Sequence, residues 1–317
     1  MNKPASIAPI KIGPATPGPA RPSRLSLACA FACALCVCAS AQSPAGRARK
    51  GVGQATAAPA LTRTTTRHET RRFGFGDTLT IVGAPVGSIT VEGWRRAEIE
   101  VTADVELRAD TEEDLALLAG VNTFLLDADG THVRILTTGT HDAKFMKKAK
   151  NFPKRLLAMP WRIDYHVRVP AVVDLDVSAG SGALSFEGFE GSLQLRGGEC
   201  DATFDLAGGD VSATLLGGTA IFRVPAPGWR GRGATLKVVR GTITVALPAN
   251  FNAEIDATIS HAGDITGTHD SFAPRDDAAQ TPRSWKVRAG GGGAALSFEV
   301  GDGAIRFAQL GAGKPKP

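Results

Sequence analysis

Ser192-Leu193-Gln194-Leu195-Arg196-Gly197-Gly198 and, a few residues on, Thr203-Phe204-Asp205-Leu206-Ala207-Gly208-Gly209 set the pattern for the C-terminal half of the chain. Large apolar residues alternate with polar ones over a short run, and a glycine pair closes the run. Alternation at every second residue marks a half-buried strand, because successive side chains leave the backbone on opposite faces. Two adjacent glycines mark a corner, since glycine takes a positive φ without steric cost. The unit recurs outward in both directions. Leu184 and Phe186 precede it. Val211 and Leu215 follow, with Gly217-Gly218 at the next corner, and then Ala220 and Phe222. Leu236, Val238, Ile243, Val245 and Leu247 continue the series, as do Ile255, Ile259 and Ile265. After a looser stretch at 268–284 it resumes at Val287, Leu296 and Phe298 and closes at Ile305 and Phe307.

Regular short strands fit either a sandwich or a β-solenoid. Over 170–310 three details favour the solenoid. The runs are very short, often with two inward residues; glycine stands at nearly every corner; and small residues such as Ser178, Ser181 and Thr219 recur near turns, as in stacked coils. The fold class read from the sequence is therefore all-β: a β-helix-like solenoid with Gly-rich turns, preceded by a β-rich N-terminal part with one short helix. That part carries alternating runs at Thr78–Val82, Ser88–Glu92 and Glu98 through Leu107. The helix follows, capped by Asp110 or Thr111, with Glu112, Glu113 and Asp114 at its positive end and Gly120 as its stop. A hairpin runs from Asn122 to Ala128 and from His132 to Thr138, turning at Asp129-Gly130.

The N-terminus reads as a secretory leader over 1–41. Arg21 and Arg24 supply positive charge, Leu25 to Val37 is almost wholly apolar, and Ala39-Ser40-Ala41 is a small-x-small cleavage pattern. An apolar run of about 13 residues is too short to span a bilayer of about 30 Å as a helix, so no transmembrane segment is expected after cleavage. Cys29, Cys33, Cys36 and Cys38 fall in this leader and leave a lipidated form open; Cys200 is the cysteine that remains beyond it. An exported chain with one cysteine has no internal disulfide and depends on its core. Residues 42–70 read as a flexible linker, 71–310 as the β-rich domain and 311–317 as a disordered tail.

The formal charge of +5 is uneven. Residues 1–41 hold four basic side chains and no acid, which leaves +1 on the rest. Residues 42–72 hold seven basic side chains against Glu69, so 73–317 carries −5. A basic balance confined to the chain ends, on an exported protein, argues against nucleic acid as partner.

One stretch breaks the strand pattern. Lys144, Lys147, Lys148, Lys150, Lys154 and Arg155 interleave with Phe145, Met146 and Phe152. The segment reads either as a solvated loop between strands or as a site for an anionic partner, such as a lipid headgroup or an acidic polysaccharide. Beyond it the chain carries no Walker loop, nucleophile elbow, His-Glu-x-x-His or Cys-x-x-Cys after the leader. Gly290 to Gly293 reads as a turn. His261, Asp264, His269 and Asp270 could offer metal ligands, although Gly263-Asp264 is also an ordinary turn. Glu187, Glu190, Glu199, Asp201, Asp205 and Asp210 could serve a glycan-cleaving site, which needs paired carboxylates on one face. They fall at or beside turns, where solvated acids are common, and aromatics for sugar stacking are scarce. No catalytic residue, metal or cofactor is expected.

The chain resembles the exported bacterial domains known as DUF4097-type adhesin-like or auto-transporter-adhesin-head-like β-helix domains. The resemblance runs over about 70–310. It rests on the order of Gly87-Ser88-Ile89-Thr90-Val91-Glu92-Gly93-Trp94, Glu98 to Val105, Val169-Pro170-Ala171, Asp174-Leu175-Asp176-Val177, Gly180-Ser181-Gly182-Ala183-Leu184 and Gly301-Asp302-Gly303-Ala304-Ile305. It implies a β-helical fold outside the cytoplasm and no established ligand or reaction. The expected role is an exported, non-catalytic scaffold of the periplasm or cell surface, with a protein or glycan of the envelope as partner. The alternative is a polysaccharide-active enzyme on the same scaffold. Protein isolated from the native host should begin at Gln42; mass spectrometry showing a diacylglycerol-bearing cysteine at the N-terminus would replace this with a lipoprotein.

Overall fold

The computed structural model describes residues 61–275 and 280–310. The leader at 1–41, the linker up to residue 60 and the tail at 311–317 lie outside the described residues. Within them the chain is all-β, with sixteen strands joined in one large sheet.

The N-terminal part comprises β1 Leu61–Arg72, β2 Thr78–Val82, β3 Ile89–Trp94, β4 Glu98–Ala109, α1 Glu112–Ala119, β5 Thr123–Asp129, β6 His132–Thr138, a single turn α2 Ala143–Met146, and β7 Trp161–Pro170. The linker reading is corrected at its C-terminal end. Residues 61–70 belong to β1, which pairs antiparallel with β4 from Leu61↔Ala109 to Arg72↔Glu98. Its Thr- and Arg-rich sequence has no apolar alternation because β1 stands at the sheet edge and is mostly exposed, so backbone pairing rather than burial holds it. The hairpin forms with Asp129 opposite His132, and Gly130 takes φ +58° at its turn. In α1 the Thr111 side chain accepts from Asp114 N, and Leu115 and Leu118 are buried. The expectation of one helix is also corrected: α2 and a 3-10 turn at Lys154–Ala158 lie in the lysine-rich stretch.

The C-terminal part comprises β8 Asp174–Ala179, β9 Gly182–Glu187, β10 Ser192–Asp205, β11 Gly208–Arg223, β12 Arg230–Pro248, β13 Ala253–Gly267, β14 Phe272–Pro274, β15 Ser284–Ala289 and β16 Ala295–Leu310. Several runs that read as separate short strands are halves of one long strand. Leu193-Leu195 and Phe204 both lie in β10, because the glycine pair bends the backbone while keeping it paired: Gly197 stands opposite Leu215. β8 and β9 pair parallel with β10, and β10, β11, β12, β16 and β13 follow as parallel neighbours, while β15 pairs antiparallel with β13 and β14. Leu175, Leu193, Val211, Ala234 and Leu296 share one cross-strand row. Phe186, Phe204, Phe222, Val245 and Phe307 share another. The first steps are 18 residues long, and side chains bridge them: Asp174 Oδ1 accepts from Ser192 N at 3.0 Å, and Asp201 Oδ1 from Thr219 N at 3.1 Å.

The bends stack on glycine. Gly218, Gly241, Gly303 and Gly263 follow one another across the strands with φ between +104° and +145°. A Cβ on any of them would fall 1.6 to 2.1 Å from the carbonyl oxygen of the neighbouring strand. The interior behind the bends is a column of aromatic rings. Phe186 and Phe204 stack with centroids 5.4 Å apart, Phe204 and Phe222 are 6.2 Å apart, and Phe222 meets Phe298 edge-on at 5.6 Å.

Phe204 is fully buried and Asp205 beside it is partly exposed, as period 2 requires. Phe204→Ala should therefore cost about 3–5 kcal/mol in thermal or urea unfolding, because the neighbouring layers cannot collapse into the void. Asp205→Ala should cost far less; the reverse order would mean that the register of β10 is wrong.

Candidate functional site

The strand register brings acids together at one end of the sheet. Glu187 is the last residue of β9 and Asp205 the last of β10; they are opposite one another, and Glu92 of β3 is opposite Glu187. With Glu190 and Arg230 they line an open groove of about 410 Å³. The chain closes in tightly here, since a Cβ on Gly93 would sit 2.1 Å from Gly188 O. Two of the four acids are occupied. Arg230 donates to Glu190, and Glu92 lies 3.4 Å from His166 and 3.5 Å from Arg168. Glu187 and Asp205 have no ion-pair partner among the described residues, although like charges opposite one another destabilise a sheet. Sequence reasoning selected Glu187, Glu190 and Asp205. It missed Glu92 and Arg230, which strand pairing carries in from distant parts of the chain. The other acids of that set sit elsewhere: Glu199 lies 3.5 Å from Arg240, and Asp210 lies 3.4 Å from Arg232.

The histidine set is not assembled. His261 is exposed and 3.8 Å from Asp302. His269 is buried, stacked on Phe272 at 4.7 Å, and uses both ring nitrogens. Its Nδ1 faces Ser271 N at 3.3 Å and Ser271 Oγ at 2.9 Å, which makes Nδ1 the acceptor and Nε2 the donor to Pro248 O at 3.0 Å. Among the described residues no group of three His, Cys, Asp or Glu side chains could hold a metal ion. Cys200 is buried, its thiol donates to Gly180 O at 3.1 Å, and burial pushes its pKa up, so the thiolate that a nucleophile needs is disfavoured.

The lysine-rich stretch splits into two roles. Arg155 grips Asp114 with two hydrogen bonds of 2.5 and 2.8 Å. The Asp114 side chain is 4% exposed, and Arg155 holds its carboxyl below the usual range. Arg155 thus belongs to the fold rather than to a ligand set. Lys144, Lys147, Lys148, Lys150 and Lys154 are exposed. Asp142 caps α2 by accepting from Lys144 N at 2.8 Å and Phe145 N at 3.1 Å, and Leu156 is fully buried.

No family model matches the chain, and no curated protein matches it. Solved structures similar to it include a candidate cell adhesion protein from Clostridium sporogenes, 12% identical, covering 78% of this chain and 100% of that one with a TM-score of 0.44. A candidate adhesin from Bacteroides fragilis is 10% identical and covers 78% of this chain and 97% of its own, with a TM-score of 0.28. Another from Parabacteroides merdae is 10% identical, with coverage of 78% and 96% and a TM-score of 0.23. None of these similarities assigns a partner or an activity to this chain. Among the described residues no helix is long and apolar enough to cross a membrane.

Arg155→Ala should lower the melting temperature at neutral pH by exposing a buried, uncompensated Asp114. Because Asp114 has a depressed folded-state pKa, its contribution is present above the ordinary carboxylate value near 3.8 and is lost as pH falls through the folded value. The gap between wild type and variant should therefore close in acid; a gap independent of pH would remove the ion pair as its cause.

Proposed function

We propose that the chain is an exported, non-catalytic β-solenoid that serves as a binding scaffold, adhesion-like in kind, in the envelope or at the cell surface. The observation that carries this reading is the register of the outward side chains. Gln194, Ser212, Thr235, Ser297 and Asp256 form one row, and Arg196, Thr214, Lys237, Glu299 and Thr258 form the next. Parallel strands repeat about every 4.8 Å, so each row is a ladder of polar groups at fixed spacing. Such a face suits an extended glycan or a partner strand. The steps of 18 residues, the stacked glycine bends and the inward rings support the solenoid form. The leader at 1–41 supports export, and the −5 balance of 73–317 speaks against nucleic acid.

A polysaccharide-active enzyme is the second reading, and the acidic groove is the observation in its favour. The scaffold is preferred for three reasons. Glu190 and Glu92 are already engaged by cations. Glu187 is exposed, whereas a general acid for glycoside cleavage needs a desolvated site to stay protonated at neutral pH. No Trp or Tyr lines the groove to stack a sugar.

A glycan array probed with the purified exported protein should give binding, and incubation with acidic polysaccharides should release no new ends. Asp205→Asn and Glu190→Gln should leave both results unchanged. Turnover that disappears in either variant would establish the enzyme instead.

A further inference from the structure

We propose that the excursion between β6 and β7, residues 143–158, docks this protein onto an anionic phospholipid bilayer. The inference goes beyond the scaffold reading, and vesicle binding by purified protein is read independently of any adhesion partner. Its first ground is unbalanced charge. The excursion holds six basic side chains and no acid, within a body of net charge −5. Elsewhere many basic side chains are paired: Arg134 with Asp127, Arg196 with Asp176 and Lys237 with Glu299 across strands, and Arg162 with Asp164 along β7. Here Arg155 alone is spent on Asp114. Lys144, Lys147, Lys148, Lys150 and Lys154 are exposed without an ion-pair partner among the described residues.

The second ground is order. The Asp142 cap, the Arg155 clamp and buried Leu156 tie the excursion down at its start and end, so its lysines stand on a fixed platform. The third is chemistry. Phe145 and Met146 sit half-exposed between Lys144 and Lys147, and Leu157 is 42% exposed. Apolar groups set between cations can enter the headgroup boundary while the ammonium groups stay among the phosphates. Lysine suits this as a compact point charge, whereas a polyanionic sugar chain is better gripped by the planar fork of arginine, and the platform's one arginine is spent on Asp114. The fourth is distance from the acidic groove. The excursion leaves the sheet at the Trp161 end of β7. The acids of the groove gather near its Arg168, about 23 Å further along the strand. That gap exceeds a Debye length of about 10 Å, so the groove acids do not offset the lysines at a bilayer surface.

Flotation of the purified exported protein with vesicles tests this. Vesicles of about one-third phosphatidylglycerol in phosphatidylcholine should retain the protein at low salt and release it near 0.5 M salt, and pure phosphatidylcholine should not retain it. Lys147→Gln with Lys148→Gln should lower partitioning about 25-fold, or about fivefold per charge. Phe145→Ala with Met146→Ala should weaken it while keeping the salt dependence. Arg71→Gln with Arg72→Gln, on the far edge strand β1, should change it little. Thermal unfolding of each variant should match the wild type. The proposal is overturned by equal retention on both vesicle types, by wild-type partitioning in the lysine pair, or by an equal loss in the arginine pair. Lysine-dependent binding to polygalacturonate without vesicle binding overturns it as well and makes the partner a soluble polyanion.

Discussion

The bend in each long strand depends on a carbonyl oxygen occupying the space where a side chain would otherwise stand. At Gly218 that oxygen belongs to Cys200, at Gly241 to Gly218, at Gly303 to Gly241 and at Gly263 to Gly303. Each glycine therefore makes room for its neighbour's backbone and offers its own oxygen to the next. Positive φ at all four lets the chain turn without breaking the parallel pairing on either side of the corner. Once the corner is fixed, register follows for a dozen residues, and a slip of one residue would turn every ring in the Phe186–Phe204–Phe222 column out to solvent. Corner and column thus specify the same register from opposite sides of the sheet.

That register also decides where charge is balanced. Cross-strand pairing places Arg196 of β10 beside Asp176 of β8, and Arg232 of β12 beside Asp210 of β11. Each of these exposed pairs is worth little in stability. Their weight lies in setting local sign: a strand face with matched pairs is electrically quiet. Against that background the Glu187–Asp205 rung at one end of the sheet and the five lysines leaving it beyond β6 gather charges without an ion pair among the described residues. Both arise where the repeat stops, one at strand termini and the other in an excursion between strands.

Much of this was legible in the sequence, for identifiable reasons. Leu193, Leu195, Phe204 and Leu206 alternate, and all four are buried. Thr111 caps α1 as its chemistry predicts, whereas Gly120 ends it at φ −69°, outside the left-handed region that favours glycine. The edge strand β1 was not legible, because an exposed strand held by backbone pairing shows no apolar period. The length of β10 to β12 was hidden by the rule that glycine pairs end strands; here they bend them. Within the groove, Glu187 and Asp205 stood out by their positions near turns, but Glu92 lies in a run that reads as plain strand. It reaches them through the pairing of β3 with β9, a contact that no local pattern encodes. Arg155 was grouped with the lysines around it because spacing cannot reveal that it meets Asp114 in the first turn of α1.

Cys200 shows how strict the corner is. It pairs with Gly182 and stands in the glycine column, yet its φ is not positive. At this layer the bend is carried by Gly197 and Gly198 just before it, where a Cβ on Gly198 would lie 2.5 Å from Gly180 O. The thiol then turns inward onto that same Gly180 carbonyl. One layer can thus depart from the column only because its glycines are shifted along the strand. A chain built this way tolerates little change at its corners. What it can vary is the outward residue of each rung, where Gln194, Ser212 and Thr235 meet solvent with no packing to preserve. On the proposed scaffold reading, recognition comes from spacing and charge already in place before a partner arrives.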